Sequence, residues 1–148
     1  MSKTFVMLKP DALERHLENY IIDIFIPEGY EILRQKRMTV SSDIILSHYE
    51  EVIKRLDLEY FTDAIMDAFV GKDVIVIELK HSKKDAVLMI RELIGATDPS
   101  KAHEESIRGK FGIDSFESAS KEKRMIYNLI HASDSHESYQ KEVALWFE

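Results

Sequence analysis

With 148 residues, 45% of them hydrophobic and 32% charged, the chain has the balance of one globular domain rather than a disordered or fibrous protein. A formal net charge of −7 argues against nucleic-acid backbones and anionic membranes as general partners, so any phosphate-binding site must gather positive charge locally. The absence of cysteine excludes disulfide frameworks and thiolate metal sites, and no apolar run approaches the length of a signal-peptide core or a bilayer span, so a cytoplasmic location is expected.

Thr4 to Leu8 is a short, continuously apolar run and reads as a buried strand, stopped by Pro10. Leu17, Ile21, Ile24 and Phe25 recur at helical spacing and predict an amphipathic helix ending near Pro27, with Gly29 in the turn. Tyr30 to Val40 reads as a second strand, more polar and nearer an edge. Asp43 to Lys54 and Tyr60 to Phe69 read as two short helices, the second closed by Gly71. Asp73 to Leu79 carries the strongest strand signal, and Ala86, Ile90, Leu93 and Ile94 mark a further amphipathic helix stopped by Gly95. A long irregular stretch is expected from Ala96 to about Tyr127, followed by a last short strand at Asn128 to Ile130. Asp134 and Glu137 have the spacing of a capping box for a final helix, whose buried face is Tyr139, Val143, Trp146 and Phe147. This order predicts an α+β fold over residues 1–148 as a single domain: a ferredoxin-like βαββαβ sandwich with an antiparallel four-stranded sheet and an added helical hairpin. The fold alone implies no chemistry.

Six histidines are present, and none forms an HExxH pair or a zinc-type spacing. His16, His48, His81, His103 and His136 read as solvated or hydrogen-bonded surface groups. His131 differs in context, because it follows the apolar pair Leu129-Ile130 and precedes a helix start, which would hold it at the sheet margin. A neutral imidazole keeps one ring nitrogen free as a nucleophile while the other needs an orienting partner. Glu142, along the final helix, is spaced to turn back toward such a ring. On these residues alone His131 is open to a structural or a nucleophilic role. Positive charge sits at element ends and loops: Lys9 after the first strand, Arg91 before Gly95, and Arg108 with Gly109 and Lys110 in the long loop. Arginine meets phosphate oxygens bidentately and lysine as a point charge, although either residue alone is equally at home on a solvated face. No Walker A sequence is present, which excludes a P-loop enzyme.

Taken together, these segments resemble one family. Thr4-Phe5-Val6-Met7-Leu8-Lys9-Pro10-Asp11-Ala12 resembles the opening strand and Lys-Pro-Asp turn of nucleoside diphosphate kinases. Ile94-Gly95-Ala96-Thr97-Asp98-Pro99 resembles their Gly-x-Thr-x-Pro segment, and Ser106-Ile107-Arg108-Gly109-Lys110-Phe111 their Thr-Ile-Arg-Gly-Asp-Phe segment. Asn128-Leu129-Ile130-His131-Ala132-Ser133-Asp134-Ser135 resembles their Asn-x-x-His-Gly-Ser-Asp signature, and Lys141 to Phe147 resembles their closing helix. The match is collinear over nearly the whole chain. The resemblance implies ping-pong transfer of a γ-phosphoryl group from a nucleoside triphosphate to a nucleoside diphosphate through a phosphohistidine at His131. It implies that Glu142 and Ser133 orient the ring. Lys9, Tyr49, Arg91, Thr97 and Arg108 fall on phosphate-binding positions, Asn128 with Lys9 on the ribose contact, and Tyr60 on the aromatic position that stacks on the base. It also implies Mg²⁺ carried mainly by the nucleotide phosphates, with no dedicated protein metal site, and a homo-oligomer (hexamer, tetramer or dimer). Nucleic acid and membrane are not expected as partners.

The sequence departs from the family pattern in five places. Ala132 stands where glycine is usual, and its methyl group is expected to be tolerated. Lys110 stands in place of aspartate, and Glu104-Glu105 in place of Pro-Gly, putting two carboxylates where they would weaken nucleotide binding unless they face solvent. Nineteen residues separate Arg108 from Asn128, more than is usual, and the extra material within Ile113 to Tyr127 reads as a solvated surface hairpin, with a flap over the nucleotide as the sharper alternative. The chain stops soon after Trp146-Phe147, where many relatives continue into a tail that supports subunit packing. Two other readings are disfavoured. A non-enzymatic nucleotide-binding module would lack one of the chemistry-bearing residues, and an RNA-binding sheet would need basic charge and aromatic residues on Asp73 to Leu79.

Overall fold

The computed structural model describes residues 2–147. Two apolar strands, β1 (Ser2–Leu8) and β3 (Asp73–His81), form its centre. Their near-continuous hydrophobic runs follow from burial on both faces. Val6 and Leu8 of β1, with Ile75, Ile77 and Leu79 of β3, pack against α2 (Glu18–Phe25) and α6 (Ala86–Ile94). Phe5, Met7, Val74 and Val76 point to the opposite face, as the two-residue period of a strand requires. There they meet α3 (Ser42–His48), α5 (Phe61–Phe69) and α9 (His136–Phe147). β2 (Tyr30–Thr39) pairs with β3 and lies at the edge, with a register shift between Ile32 and Arg34; β4 (Ile130–Ala132) closes the other edge against β1. The strand order β2-β3-β1-β4, antiparallel throughout, is the expected ferredoxin-like arrangement.

Several local expectations are corrected. Pro10 does more than stop β1, since its fixed φ suits the first position of a helix, α1 (Pro10–Glu14). The helix expected over Asp43 to Lys54 breaks at Tyr49 into α3 and α4 (Glu50–Leu56). Residues 96–127 are not one irregular loop: they hold a single 3₁₀ turn (Pro99–Lys101), α7 (Ile107–Phe111) and α8 (Phe116–Glu122). Each is too short to show helical periodicity, and side-chain caps from Asp98, Ser106 and Ser115 make up for that shortness. The final helix is capped by Ser135, whose Oγ accepts the Ser138 N–H at 3.0 Å, while Asp134 accepts the Ser138 hydroxyl instead.

The last strand begins at Ile130 rather than Asn128 because Leu129 takes a left-handed conformation, with φ of 73°. A leucine is held there at a cost, and three contacts oppose that cost. Its N–H donates to Asp11 at 3.1 Å, its carbonyl accepts the Lys9 N–H at 2.8 Å, and its side chain is fully buried. Ile130 and Ala132 then face the α2/α6 layer, so His131 between them is turned to the other face, beside Met7 in register.

Candidate active site

α9 is tied to that face at both ends. Near its start the Tyr139 hydroxyl donates to the buried Glu78 carboxylate of β3, which also accepts from Arg34 at 2.8 Å. Near its end the Trp146 indole N–H donates to His48 Nδ1 at 3.0 Å, and Lys36 donates to the Trp146 carbonyl at 3.2 Å. Glu142 lies between these anchors. Its Oε2 accepts from His131 Nε2 at 3.0 Å, and its Oε1 accepts the hydroxyl of the fully buried Ser133 at 2.5 Å. A carboxylate only accepts, so the proton sits on Nε2 and Nδ1 keeps its lone pair. Among the described residues no group bonds Nδ1.

Cationic groups converge next to the ring. Lys9, between β1 and α1, is buried and shares a cleft with His131. Its Nζ donates to Asn128 Oδ1 at 2.7 Å, and Asn128 Nδ2 donates to the Thr97 carbonyl at 3.0 Å. Burial, then the nearby Arg108 charge, lowers the Lys9 ammonium to about 8, while Asp11 opposes the shift. Arg108 sits on α7 rather than in a loop, because Gly109 lets that helix pass close to the chain: a Cβ there would lie 1.9 Å from the His103 carbonyl oxygen. Its guanidinium donates to the carbonyls of Asn128 at 3.1 Å, Gly95 at 3.1 Å and Ile130 at 2.5 Å. Burial, then Arg91, pulls Arg108 down to about 10. Arg91 Nη1 reaches the Ala132 carbonyl at 3.5 Å. The buried Tyr49 hydroxyl has no hydrogen-bond partner among the described residues, and burial followed by the Glu142 charge raises its pKa.

All of these groups open on one cleft of about 600 Å³. Lys9, Tyr49, Tyr60, Arg91, Thr97, Arg108, Asn128 and His131 line it, so eight positions spread along the chain are gathered there. Glu142 and Ser133 stand behind the His131 ring and do not line it. Glu104 and Glu105 are exposed and lie outside the cleft lining, so their charge is turned to solvent. Ala132 is not among the left-handed residues, so its methyl group costs the backbone nothing.

The chain matches the family model described as nucleoside diphosphate kinase over residues 2–148. It belongs to the nucleoside diphosphate kinase family. A relative from Methanothermobacter thermautotrophicus is 35% identical over 148 residues, covering 100% of this chain and 88% of that protein. One from Pyrococcus furiosus is 37% identical over 147 residues, covering 99% of this chain and 83% of its own. Both are named nucleoside diphosphate kinase. Among solved structures, a transition-state mimic of the Borrelia burgdorferi kinase with bound vanadate and ADP has a TM-score of 0.92 at 26% identity, covering 99% of this chain and 87% of that one. The Halobacterium salinarum kinase in complex with CDP has a TM-score of 0.81 at 28% identity, covering 99% and 88%. As a nucleoside diphosphate kinase, the chain moves a phosphoryl group between nucleoside triphosphates and nucleoside diphosphates.

Two features of this kinase's site escape sequence reasoning. His48 is not a surface group: its side chain is 1% exposed, and its ring packs edge-on to His131 at 4.5 Å between centroids. Burial, then the neighbouring His131 and Lys9, holds its pKa well below 6.5, so it stays neutral and accepts from Trp146. Helix-spaced polarity gave no sign of this, because the ring is covered by α9, nearly a hundred residues later. His81 is also buried, with both ring nitrogens satisfied by the Glu28 carbonyl and by the Lys83 and Lys84 N–H groups. The second feature is the segment after α7. Instead of a solvated hairpin, it sends Phe116, Ala119, Ser120, Arg124, Met125 and Ile126 into the cleft lining. Among the described residues no helix is long and apolar enough to cross a membrane.

Proposed function

We propose that His131 carries the phosphoryl group, in a ping-pong cycle run by the one domain of residues 1–148. The observation that supports this most strongly is the Glu142–His131 Nε2 bond of 3.0 Å, which leaves Nδ1 as the nucleophilic nitrogen in a cleft lined by five cationic side chains, Lys9, Arg91 and Arg108 among them. In the first half-reaction the Nδ1 lone pair attacks the γ-phosphorus of a bound triphosphate. The bond from that phosphorus to the β,γ-bridging oxygen breaks, and its electron pair leaves on the diphosphate. Nε2–H stays on the ring, and the Glu142 carboxylate balances the positive charge of the phosphoimidazole. A second diphosphate reverses these steps. Lys9, Arg91 and Arg108 hold the moving negative charge, with the Tyr49 hydroxyl and Thr97 as further phosphate donors. Asn128 with Lys9 takes the ribose hydroxyls, and Tyr60 stacks on the base, which every base tolerates.

Mg²⁺ belongs to this reading as a passenger on the nucleotide phosphates, where it would offset their charge. The cleft fits that role, since Asp134 is the carboxylate lining it among the described residues, and no acidic cage competes with the phosphates. The same reading includes action in the cytoplasm and assembly as a homo-oligomer, whose size sedimentation velocity would decide.

Incubation with γ-labelled ATP should yield an acid-labile, alkali-stable phosphoprotein that any added nucleoside diphosphate discharges. Unlabelled wild-type protein, or equal labelling of His131→Ala, would overturn the proposal.

The state of Lys9 makes a separate prediction. Bound phosphate favours the charged ammonium, so above pH 8 binding must first return a proton to a lysine whose pKa is about 8. Nucleoside diphosphate affinity should therefore fall about tenfold per pH unit above ~8. Titration calorimetry of wild type and Lys9→Met at rising pH reads this directly. The variant should bind more weakly at neutral pH and lack the alkaline decline, and a wild-type affinity flat across that range counts against the role of Lys9.

A further inference from the structure

The cleft is lined by both cationic and apolar side chains. Of the large hydrophobic side chains left exposed in the fold, Leu56 at 43%, Leu58 at 45% and Phe116 at 48% all line this one cleft. Leu56 and Leu58 flank the α4–α5 junction next to Tyr60, whereas Phe116 begins α8, inside the extra segment. Apolar surface gathered from both segments in one cleft, which also holds the cationic side chains, calls for an amphipathic occupant with a flat apolar head and an anionic tail.

The extra segment is also held in place. Asp98, adjacent to Thr97, accepts from the Phe116 N–H at 3.1 Å and from the Ser100 hydroxyl at 2.6 Å. At the other end Asp114 accepts two N–H groups of Arg124 at 2.6 and 3.0 Å and the Tyr127 N–H at 2.8 Å, one residue before Asn128. Both ends of the segment are therefore pinned beside residues that line the phosphate and ribose part of the cleft. An unconstrained surface hairpin needs no such clasps, and the immobilised ends lower the entropic cost of using α8 as a wall.

We propose that α8 is an added wall of the nucleobase compartment, in which Phe116 covers the base on the side away from Tyr60. This rests on the reading that the cleft binds nucleotides with their phosphates at Lys9 and Arg108. A base packed on both sides gains apolar contact in proportion to its ring area, so purine nucleotides benefit more than pyrimidine nucleotides.

The test separates the base from the phosphoryl chemistry. Wild type, Phe116→Ala and Phe116→Tyr are phosphorylated with phosphoramidate, a donor without a base, and the phosphoenzymes are then discharged by GDP, UDP or ribose 5-diphosphate. Phe116→Ala should raise the half-saturating GDP concentration about tenfold and that of UDP less, while Phe116→Tyr stays near wild type. Phosphoramidate labelling and discharge by ribose 5-diphosphate should not change. Unchanged GDP saturation in Phe116→Ala would overturn the wall, as would an equal loss with ribose 5-diphosphate, which would mean a distorted phosphate site. A wild-type phosphoenzyme that no diphosphate discharges would instead sink the nucleotide reading beneath it.

Discussion

His131→Ala is expected to lower steady-state phosphoryl exchange by at least ~10⁴-fold, because among the described residues no other histidine lines the cleft. The more discriminating change is Glu142→Gln, which keeps the shape of the site. Ser133 donates its hydroxyl to one side-chain oxygen, so the oxygen of the new amide is held there and its NH₂ group faces His131. Nε2 must then accept rather than donate, which moves the ring proton to Nδ1 and removes the lone pair that attacks phosphorus. A loss of ~10²–10⁴-fold in turnover follows, with little change in nucleotide affinity. Stopped-flow phosphorylation across a range of ATP concentrations separates the two parameters. A variant whose deficit lies wholly in half-saturation would show that Glu142 serves binding and not the ring.

Arg108→Ala is expected to lose both stability and activity. Three carbonyls, from Asn128, Gly95 and Ile130, share this one guanidinium, and they belong to the loop after α6 and to the approach to His131. Removing it leaves these acceptors short of partners in a largely buried setting. The expected cost is ~3–5 kcal/mol, or a fall in melting temperature of roughly 10 °C. Arginine carries five N–H donors, so those not spent on carbonyls remain for phosphate, and their loss should reduce turnover by a further ~10²–10³-fold at temperatures where the variant is folded. Arg108→Lys should recover little of either, because an ammonium cannot span three divergent carbonyls. Differential scanning calorimetry alongside exchange assays measures both effects, and a melting temperature within a degree of wild type would contradict the assigned role.

The position of His131 illustrates how much was legible. The apolar pair before it and the helix start after it are visible in the chain, as is the spacing of Glu142. The strand itself begins two residues later than the apolar run suggests, since Leu129 adopts a left-handed turn that no propensity of leucine suggests and that Asp11, Lys9 and core packing impose from outside. His48 departs from its expected surface position for a similar reason. Its cover comes from Trp146, and burial created by a distant helix leaves no periodic trace around the buried residue.

By itself the sequence determined the alternating and helical periods, hence the βαββαβ order, the apolar central strands and the collinear motifs that carry the chemistry. Those are local properties, written in residue type and spacing. Tertiary structure alone decided that Lys9 meets Asn128 across 119 positions, that His48 lies under the nucleophile, and that α8 faces into the cleft. Each of these rests on contacts between segments far apart in the chain, whose hydrogen bonds and burial exist only once the sheet has brought those segments together.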